Sequence, residues 1–396
     1  MASLTHRRLA VIGAGPIGLS AALMAQARGF DVTVFEKGLV GDALRRWGGS
    51  TRLFSPVSMN LPKIARSILG AAGPPDDALL TGPEMATRVL EPIASAPQLA
   101  GRVHTGHRIV AVGRAGLTRI DLPGHPLRAE RPFRLLVAAP GGELVIEADA
   151  VFDASGVHDN PNWAGPGGLP ALGETAVASR LIRRLGELED HRERLSGRLL
   201  LVGHGHSAAD ALLILGAVAA ERPGMRVTWA VCCANLRPCA EVADDPLPER
   251  QRVASRANDL AADPPAFLTV TRRATLAAIA ADGPRFQVTL SVPGAREAAP
   301  EIFDQVVAMT GYRPDHSTLT ELPIEISPVT EGAAGLSRAL ANVTDCLTIP
   351  NVTPADLGSG EPGFYLVGAK SYGRSATFLL RTGLAHLEVI LNGMDQ

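Results

Sequence analysis

Gly13, Gly15 and Gly18 form a G-x-G-x-x-G pattern, and Glu36 stands eighteen residues beyond the last of them. Residues of these types at this spacing bind a dinucleotide. The first glycine permits a tight turn, the second lets the backbone approach a pyrophosphate, and the third brings a helix close to a strand. Pro16 and Ile17 complete the turn, and the helix N-terminus then offers free N–H groups to the phosphate charge. Glu36, with Lys37 beside it, is placed to accept hydrogen bonds from a ribose diol. A second pattern of the same kind lies mid-chain at Gly203, Gly205 and Ala208, with His206 and Ser207 inside the turn. Where that site should carry a ribose-binding acid for NADH, after "VTWAV", stand Cys232 and Cys233. Arg237 follows, and its guanidinium fork suits a 2′-phosphate. The expected second nucleotide is therefore NADPH in preference to NADH.

Three of the four cysteines fall in "AVCCANLRPC", residues 230–239. Cys232 and Cys233 are adjacent, so a disulfide between them would force an awkward peptide geometry. Cys239 is six positions further on, and Cys346 is alone. All four are read as unpaired thiols. His204 and His206 have no third ligand at metal-binding spacing, so no metal site is expected.

The elements that must hold these residues follow from apolar patterning. "RLAVIG" reads as a strand, "PIGLSAALMAQARG" as a helix ended by Gly29, and "DVTVFE" as a second strand. Residues 40–63 read as a loop. "RIVAV", "FRLLVA" and "ELVIEA" form a β-meander, followed by the strand in "AVFDASG". The strand–helix–strand unit recurs in "RLLLVG", "HSAADALLILGAVAAE" and "RVTWAV". "EVADDPLPERQRVASRANDLAADPP" reads as a solvated loop and surface helix, and "SATFLLRTGLAHLEVIL" as a closing helix.

At 396 residues the chain has room for two domains. Apolar residues are 46 %, charged residues 20 % and the net charge is −2. No basic run suggests nucleic acid or a membrane surface, and no apolar stretch reaches the roughly twenty residues a bilayer demands. A strand pattern starting almost at the N-terminus leaves no room for a secretory signal, and the expected location is cytoplasmic.

Two nucleotide motifs in one chain, the first N-terminal with its acid, resemble the FAD-plus-NAD(P)H flavoproteins. This two-dinucleotide-binding-domain superfamily holds thioredoxin reductase, glutathione reductase and the flavin-containing monooxygenases. The likeness extends to "FDASG" with Ser155 and Gly156, to "AMTGYRPD" with Thr310 and Gly311, and to "FYLVGAKSYG" before the closing helix. It implies an α/β fold in which a Rossmann-like FAD-binding domain is split by an inserted Rossmann-like NAD(P)H-binding domain, with a β-meander. The implied boundaries are 1–190 and 310–396 for FAD and 191–309 for NAD(P)H. It further implies that the closing helix starts near Ser375–Thr377 and points its N-terminus at the flavin pyrimidine ring. Many relatives have an acid after the last motif's glycine. Here the run is Gly368, Ala369, Lys370, and Lys370 would meet the pyrophosphate instead. Arg46, Trp47 and Arg52 fall in the loop that covers the flavin in relatives.

The redox cysteine pairs of the disulfide-reductase branches have no counterpart in "GDALRRWGGSTRLFSP" or in the second phosphate turn. "MNLPK" resembles a segment of the flavin-containing monooxygenases whose asparagine lies over the flavin, which makes Asn60 the implied catalytic residue. Its alternative role is N-cap of the helix after it. The order F-x-G-x-x-x-H that precedes the second glycine motif in those enzymes is not matched, which implies a separate branch. A structural role is expected for His158, and Tyr372 and Arg374 are placed at the border of the substrate cavity. The resemblance thus implies an NAD(P)H-consuming monooxygenase acting through a flavin C4a-hydroperoxide. Its partners would be O₂ and a small molecule oxygenated at nitrogen, sulfur or a carbonyl, with a second copy of the chain in a homodimer. The alternatives are a reductase serving an external acceptor and a non-catalytic flavin-binding protein.

Overall fold

The first sheet grows from β1 (Arg8–Ile12), whose residues Leu9 to Ile12 are all buried. A strand covered on both faces has no polar side, which is why "LAVI" shows no alternation. In the computed structural model, which describes residues 7–294, 299–343 and 346–394, β1 pairs in parallel with β2 (Asp31–Phe35). Residues 1–6, part of the stretch that argued against a leader, lie outside the described residues. Between the two strands runs α1 (Pro16–Gln26), opened by proline in its first turn and followed by Gly29 at φ +86°. β3 (Val103–His104) adds to β2. The expected meander is present as β4 (Arg108–Arg114), β5 (Phe133–Ala139) and β6 (Gly142–Ala148), all antiparallel. β7 (Ala150–Asp153) then returns to the other side of β1.

The second unit contains β8 (Arg198–Val202), β9 (Arg226–Val231) and β10 (Leu268–Arg272) in parallel. A second antiparallel meander, which the sequence reading did not separate out, consists of β11 (Thr275–Asp282), β12 (Arg285–Ser291) and β13 (Glu301–Phe303). β14 (Gln305–Ala308) pairs with β8, and the chain then re-enters the first unit, whose core takes in Leu319, Leu322 and Leu336 before β15 (Phe364–Leu366) pairs with β7. The parallel sheets thus run β15–β7–β1–β2–β3 and β10–β9–β8–β14. One parallel-sheet unit is inserted into the other, as the resemblance implied.

Period-two packing decides what covers the second sheet. Leu199, Leu201 and Trp229 face the core beneath the helices that span His206–Glu221 and Pro248–Ala262. Leu200, Val202 and Ala230 face the meander. Ala164, Ala171, Val177 and Leu181 join that second face, and Ile182 bridges Val307. The inserted unit therefore recruits chain well before the expected boundary at 190. Those apolar residues sit in irregular structure with no period, which is why patterning did not reveal them. The helix Pro248–Ala262 is also less solvated than expected, since Val253, Ala254, Ala257 and Asn258 are buried.

Candidate functional site

The turn after β1 is set by steric exclusion. Gly13 has φ +103°, and a Cβ there would stand 2.7 Å from the Ala154 carbonyl oxygen. A Cβ on Gly18 would stand 1.9 Å from the Gly13 oxygen, so only glycine lets α1 approach this closely. Around Gly15, by contrast, no atom comes within 4 Å of a Cβ. Two glycines fill the fold and one leaves open space where a pyrophosphate would lie. The second turn repeats this geometry. Gly203 has φ +119° with its Cβ position 2.3 Å from the Met309 oxygen, whereas Gly205 is open. Ala208 is tolerated because its Cβ comes only 3.6 Å from the Cβ position of Gly203.

Glu36 is 8 % exposed, and its two oxygens accept from the Ala14 N–H at 2.9 Å and the Gly38 N–H at 2.8 Å. The carboxylate is thereby fixed beside the first cradle with lone pairs to spare for a ribose diol. These residues fit FAD. Glu36→Gln, which keeps one acceptor and removes the charge, should weaken FAD binding by roughly ten- to a hundredfold, about 1.5–3 kcal/mol for charge-assisted hydrogen bonds. Quenching of flavin fluorescence on reconstitution measures it.

A cavity of about 620 Å³ opens from this cradle, well within the size that holds a cofactor. Its wall brings together Gly13, Gly15, Pro16, Ile17, Glu36, Lys37, Arg46, Trp47, Arg52, Ser155, Gly156, Gly368 and Lys370 with His206 and Ser207 of the second turn. Gly18, Asn60, Gly203, Gly205, Ala208, Arg237, Thr310, Gly311 and Thr377 do not line it. Thr310 and Gly311 instead stitch the two chain crossings: Thr310 Oγ1 donates to the Asn162 carbonyl at 2.7 Å, and the Gly311 carbonyl accepts from the Asn162 N–H at 2.9 Å.

Several expected roles change with the geometry. Asn60 ends a short helix, Val57–Asn60, and is 2 % exposed. Its amide donates to the Ser55 carbonyl at 2.8 Å and accepts from Ser55 Oγ at 2.6 Å, so both of its functions are used inside the wall. Ser55, not Asn60, borders the cavity, and Asn60 positions it. Nor is Asn60 the N-cap of the next helix, Lys63–Leu69, whose cap is Pro62. Lys370 donates to Asp153 at 2.6 Å and to Ser155 Oγ at 3.0 Å, with both charged side chains buried. Its charge is already matched by the acid that ends β7. Arg237 lies at the surface, held by Glu241 at 2.8 Å and by Asp259 at 2.9 Å. Those carboxylates occupy the fork that a 2′-phosphate would need. The closing helix starts at Leu380, later than Ser375–Thr377, and Ser375, Leu379 and Leu380 border the cavity while Thr377 bonds Ser375 at 2.9 Å. Tyr372 is buried against His386, and Arg374 pairs with Glu331, so neither borders the cavity.

The cavity wall also holds groups whose place there the sequence did not show. Asp159 gathers Lys37, Arg46 at 2.9 Å and Arg184 at 3.7 Å. Burial alone would raise its carboxyl, but hydrogen bonding from Lys37 and the charges of Lys37 and Arg46 hold it below the ordinary range. His158 sits between the rings of Trp47 and Tyr312, and burial pushes it down to about 4, so it is neutral at pH 7. Cys346 lines the cavity and its sulfur accepts from Arg250, which Asp245 grips through two hydrogen bonds of 2.6 and 2.7 Å. Cys346 is therefore not isolated, as the sequence reading held. Cys232, Cys233 and Cys239 do not line the cavity. No group of three or more metal-ligating side chains occurs among the described residues, and no helix among them is long and apolar enough to cross a membrane.

Asp210, one turn into the helix His206–Glu221, also borders the cavity. Burial, helped by Glu249 and opposed by Arg252, pushes it up to about 7. The native state then keeps this proton up to about pH 7, whereas the unfolded chain releases it near the ordinary aspartate value. Stability should fall as pH rises from about 4 to 7 on this account. Asp210→Asn should flatten that part of the profile, gaining relative to the parent at neutral pH and matching it at about pH 3. Thermal unfolding of both proteins across pH gives the comparison.

A sequence model of the family described as pyridine nucleotide-disulphide oxidoreductase matches residues 10–70, the first cradle and the loop after it. Among solved structures, the bacillithiol disulfide reductase of Bacillus cereus is 19 % identical with a TM-score of 0.64, covering 98 % of this chain and 99 % of its own. The chain has the two-dinucleotide-binding-domain flavoprotein fold. The ornithine N-hydroxylase of Kutzneria sp. 744, solved with reduced FAD, NADP⁺ and L-ornithine, is 17 % identical at a TM-score of 0.66, covering 98 % and 99 %. A flavin monooxygenase mutant from Stenotrophomonas maltophilia is 20 % identical at 0.61, covering 98 % of each chain. Reductases and oxygenases thus share this architecture at similar distance, so the fold alone does not choose between them. No curated protein matches the chain.

Proposed function

We propose that the protein is an FAD-dependent, NADPH-consuming oxidoreductase that oxygenates a small molecule at nitrogen, sulfur or a carbonyl. The observation that carries this reading is the shared cavity: Gly13 and Gly15 of one cradle and His206 and Ser207 of the other border the same space. Bound FAD would accept hydride from the nicotinamide and deliver two electrons onward. Gly13, Gly15 and Glu36 would hold its adenosine and pyrophosphate, and Trp47 and Ser55 would border the space beyond. The chain's own part is to orient the two cofactors, to keep His158 neutral, and to exclude water with the Phe54–His206 ring contact, whose centroids are 5.1 Å apart. The missing cysteine pair supports O₂ as the acceptor. After anaerobic reduction by NADPH, an O₂ pulse is expected to return less hydrogen peroxide than flavin reduced once the substrate is present. Peroxide equal to reduced flavin with every amine, sulfide and ketone offered would contradict oxygenation.

A second reading, a reductase passing electrons to a small disulfide, is favoured by one observation, the Cys346 sulfur in the cavity wall beside Arg250. NADPH-driven disulfide reduction that disappears in Cys346→Ser would support it over the first.

A further inference from the structure

Arg237, the arginine expected to bind the phosphate, is paired at the surface with Glu241 and Asp259 and does not line the cavity. The adenosine end of a dinucleotide nevertheless lies beyond the carboxyl ends of β9 and its neighbours, in the crevice of an open parallel sheet. Two thiols occupy the end of β9, and Cys232 Sγ reaches across to His204 Nδ1, 3.6 Å away in the phosphate turn. The residues that follow β9, Cys232 to Leu236, include no carboxylate to repel an anion or to select a bare ribose diol.

The neighbouring strand ends on two arginines. Arg272 pairs with Val231 in the ladder, so Arg273 comes level with Cys232. Arg272 is spent on the backbone: it donates to the carbonyls of Asn235 at 3.0 Å, Leu236 at 3.3 Å and Ala261 at 2.7 Å. It braces the 232–239 loop and keeps its positive charge, with no carboxylate partner among the described residues. Arg273 is exposed, and its side chain has neither hydrogen bond nor ion pair among the described residues. Its φ is +54°, a left-handed conformation that a long side chain rarely adopts. The chain is held in it by the Arg273 N–H on the Cys233 carbonyl at 3.0 Å and the Ala274 N–H on the Val231 carbonyl at 2.9 Å. An unspent guanidinium on a fixed, strained backbone beside a cofactor crevice has a functional reading.

We propose that Arg273 is the residue that recognises the 2′-phosphate of the adenosine, and so sets the preference for NADPH. The assignment rests on the NADPH reading above and moves the specificity role from Arg237 to the end of β10. Arg272 holds the loop and adds a fixed positive field, and the guanidinium of Arg273 forms the charge-assisted hydrogen bonds.

The test uses the full, FAD-loaded chain and two fragments of the cofactor, 2′,5′-ADP and 5′-ADP, with calorimetric binding as readout. The parent should bind 2′,5′-ADP roughly ten- to a hundredfold more tightly than 5′-ADP, the scale of one or two hydrogen bonds to a charged group. Arg273→Gly, which suits φ +54° and so keeps the backbone, should erase that difference while leaving 5′-ADP affinity unchanged. Arg273→Lys should restore part of it. A preference retained in Arg273→Gly overturns the assignment while leaving NADPH as the cofactor. Equal weakening of both fragments overturns it too, because the arginine then stacks on adenine. A parent with no preference removes the NADPH reading itself.

Discussion

Gly18→Ala should produce a severely destabilised protein, whereas Gly15→Ala should fold normally and fail to keep FAD. The same one-methyl change, three residues apart, thus separates the glycine that builds the turn from the glycine that serves the cofactor. At Gly18 the new Cβ would stand 1.9 Å from the Gly13 oxygen and 3.4 Å from the Ala154 Cβ, so α1 must move away from β1 and β7. Alanine's better helix propensity returns only about 1 kcal/mol, while overpacking a tight contact costs about 3 kcal/mol or more. Against a total stability of about 5–15 kcal/mol, that is a large fraction. Gly15 has φ −82°, which alanine adopts freely, and nothing within 4 Å of the added methyl. Its only obstacle is the group that belongs in the space. Denaturant midpoints of the apoproteins and flavin content after reconstitution should therefore move independently in the two variants. Loss of FAD from Gly18→Ala alone, with Gly15→Ala fully flavinated, would contradict the assignment of that space.

The second large effect is expected from residues that do not line the cavity. Glu361, with no side-chain exposure, receives Arg114 Nε at 2.6 Å and Arg128 Nε at 2.7 Å, both arginines being 1 % exposed. Arg114 also lies over the Phe133 ring at 3.7 Å and donates to the Arg131 carbonyl at 2.6 Å, while Arg128 donates to Thr118 and Asp121 carbonyls. One carboxylate thereby ties the first meander to the loop that leads into β15. Glu361→Gln keeps the shape but leaves two buried guanidinium groups without a counter-charge, and should cost about 3–5 kcal/mol. The exposed pair Arg198–Glu301, with half of each side chain in water, should yield about 1 kcal/mol or less when Glu301→Gln breaks it. Chemical denaturation of both variants reads the contrast. Equal, small shifts would mean that the buried triad is not formed in solution.

What the sequence disclosed and what it hid divide along a physical line. Both cradles, both strand–helix–strand units and the first meander were legible because each depends on local steric rules: glycine where a Cβ collides, apolar runs where strands are covered twice. The helix His206–Glu221 begins and ends where its pattern predicts. The chain before Asp190 was misassigned because Ala164, Ala171, Val177 and Leu181 pack without regular structure. Site roles changed where a partner, near in sequence or far from it, had already claimed the side chain. Lys370 is matched by Asp153, Arg237 by Glu241 and Asp259, and Asn60 by Ser55. Cys346 was read as isolated and Asp210 was not singled out for the converse reason, since only folding brings either of them to the cavity wall. Arg273 left one trace, its position just beyond the short strand Leu268–Arg272 of the second unit, and that trace gains meaning only beside the surface pairing of Arg237.

Anaerobic titration of the FAD-loaded protein with NADPH tests most directly whether two dinucleotide cradles serve one cavity. The flavin should lose its visible absorbance with one equivalent of NADPH, and Gly205→Ala, which fills the open space of the second cradle, should slow that loss while leaving FAD bound. Protein that takes up no FAD, or bound flavin that NADPH leaves oxidised, would contradict the account.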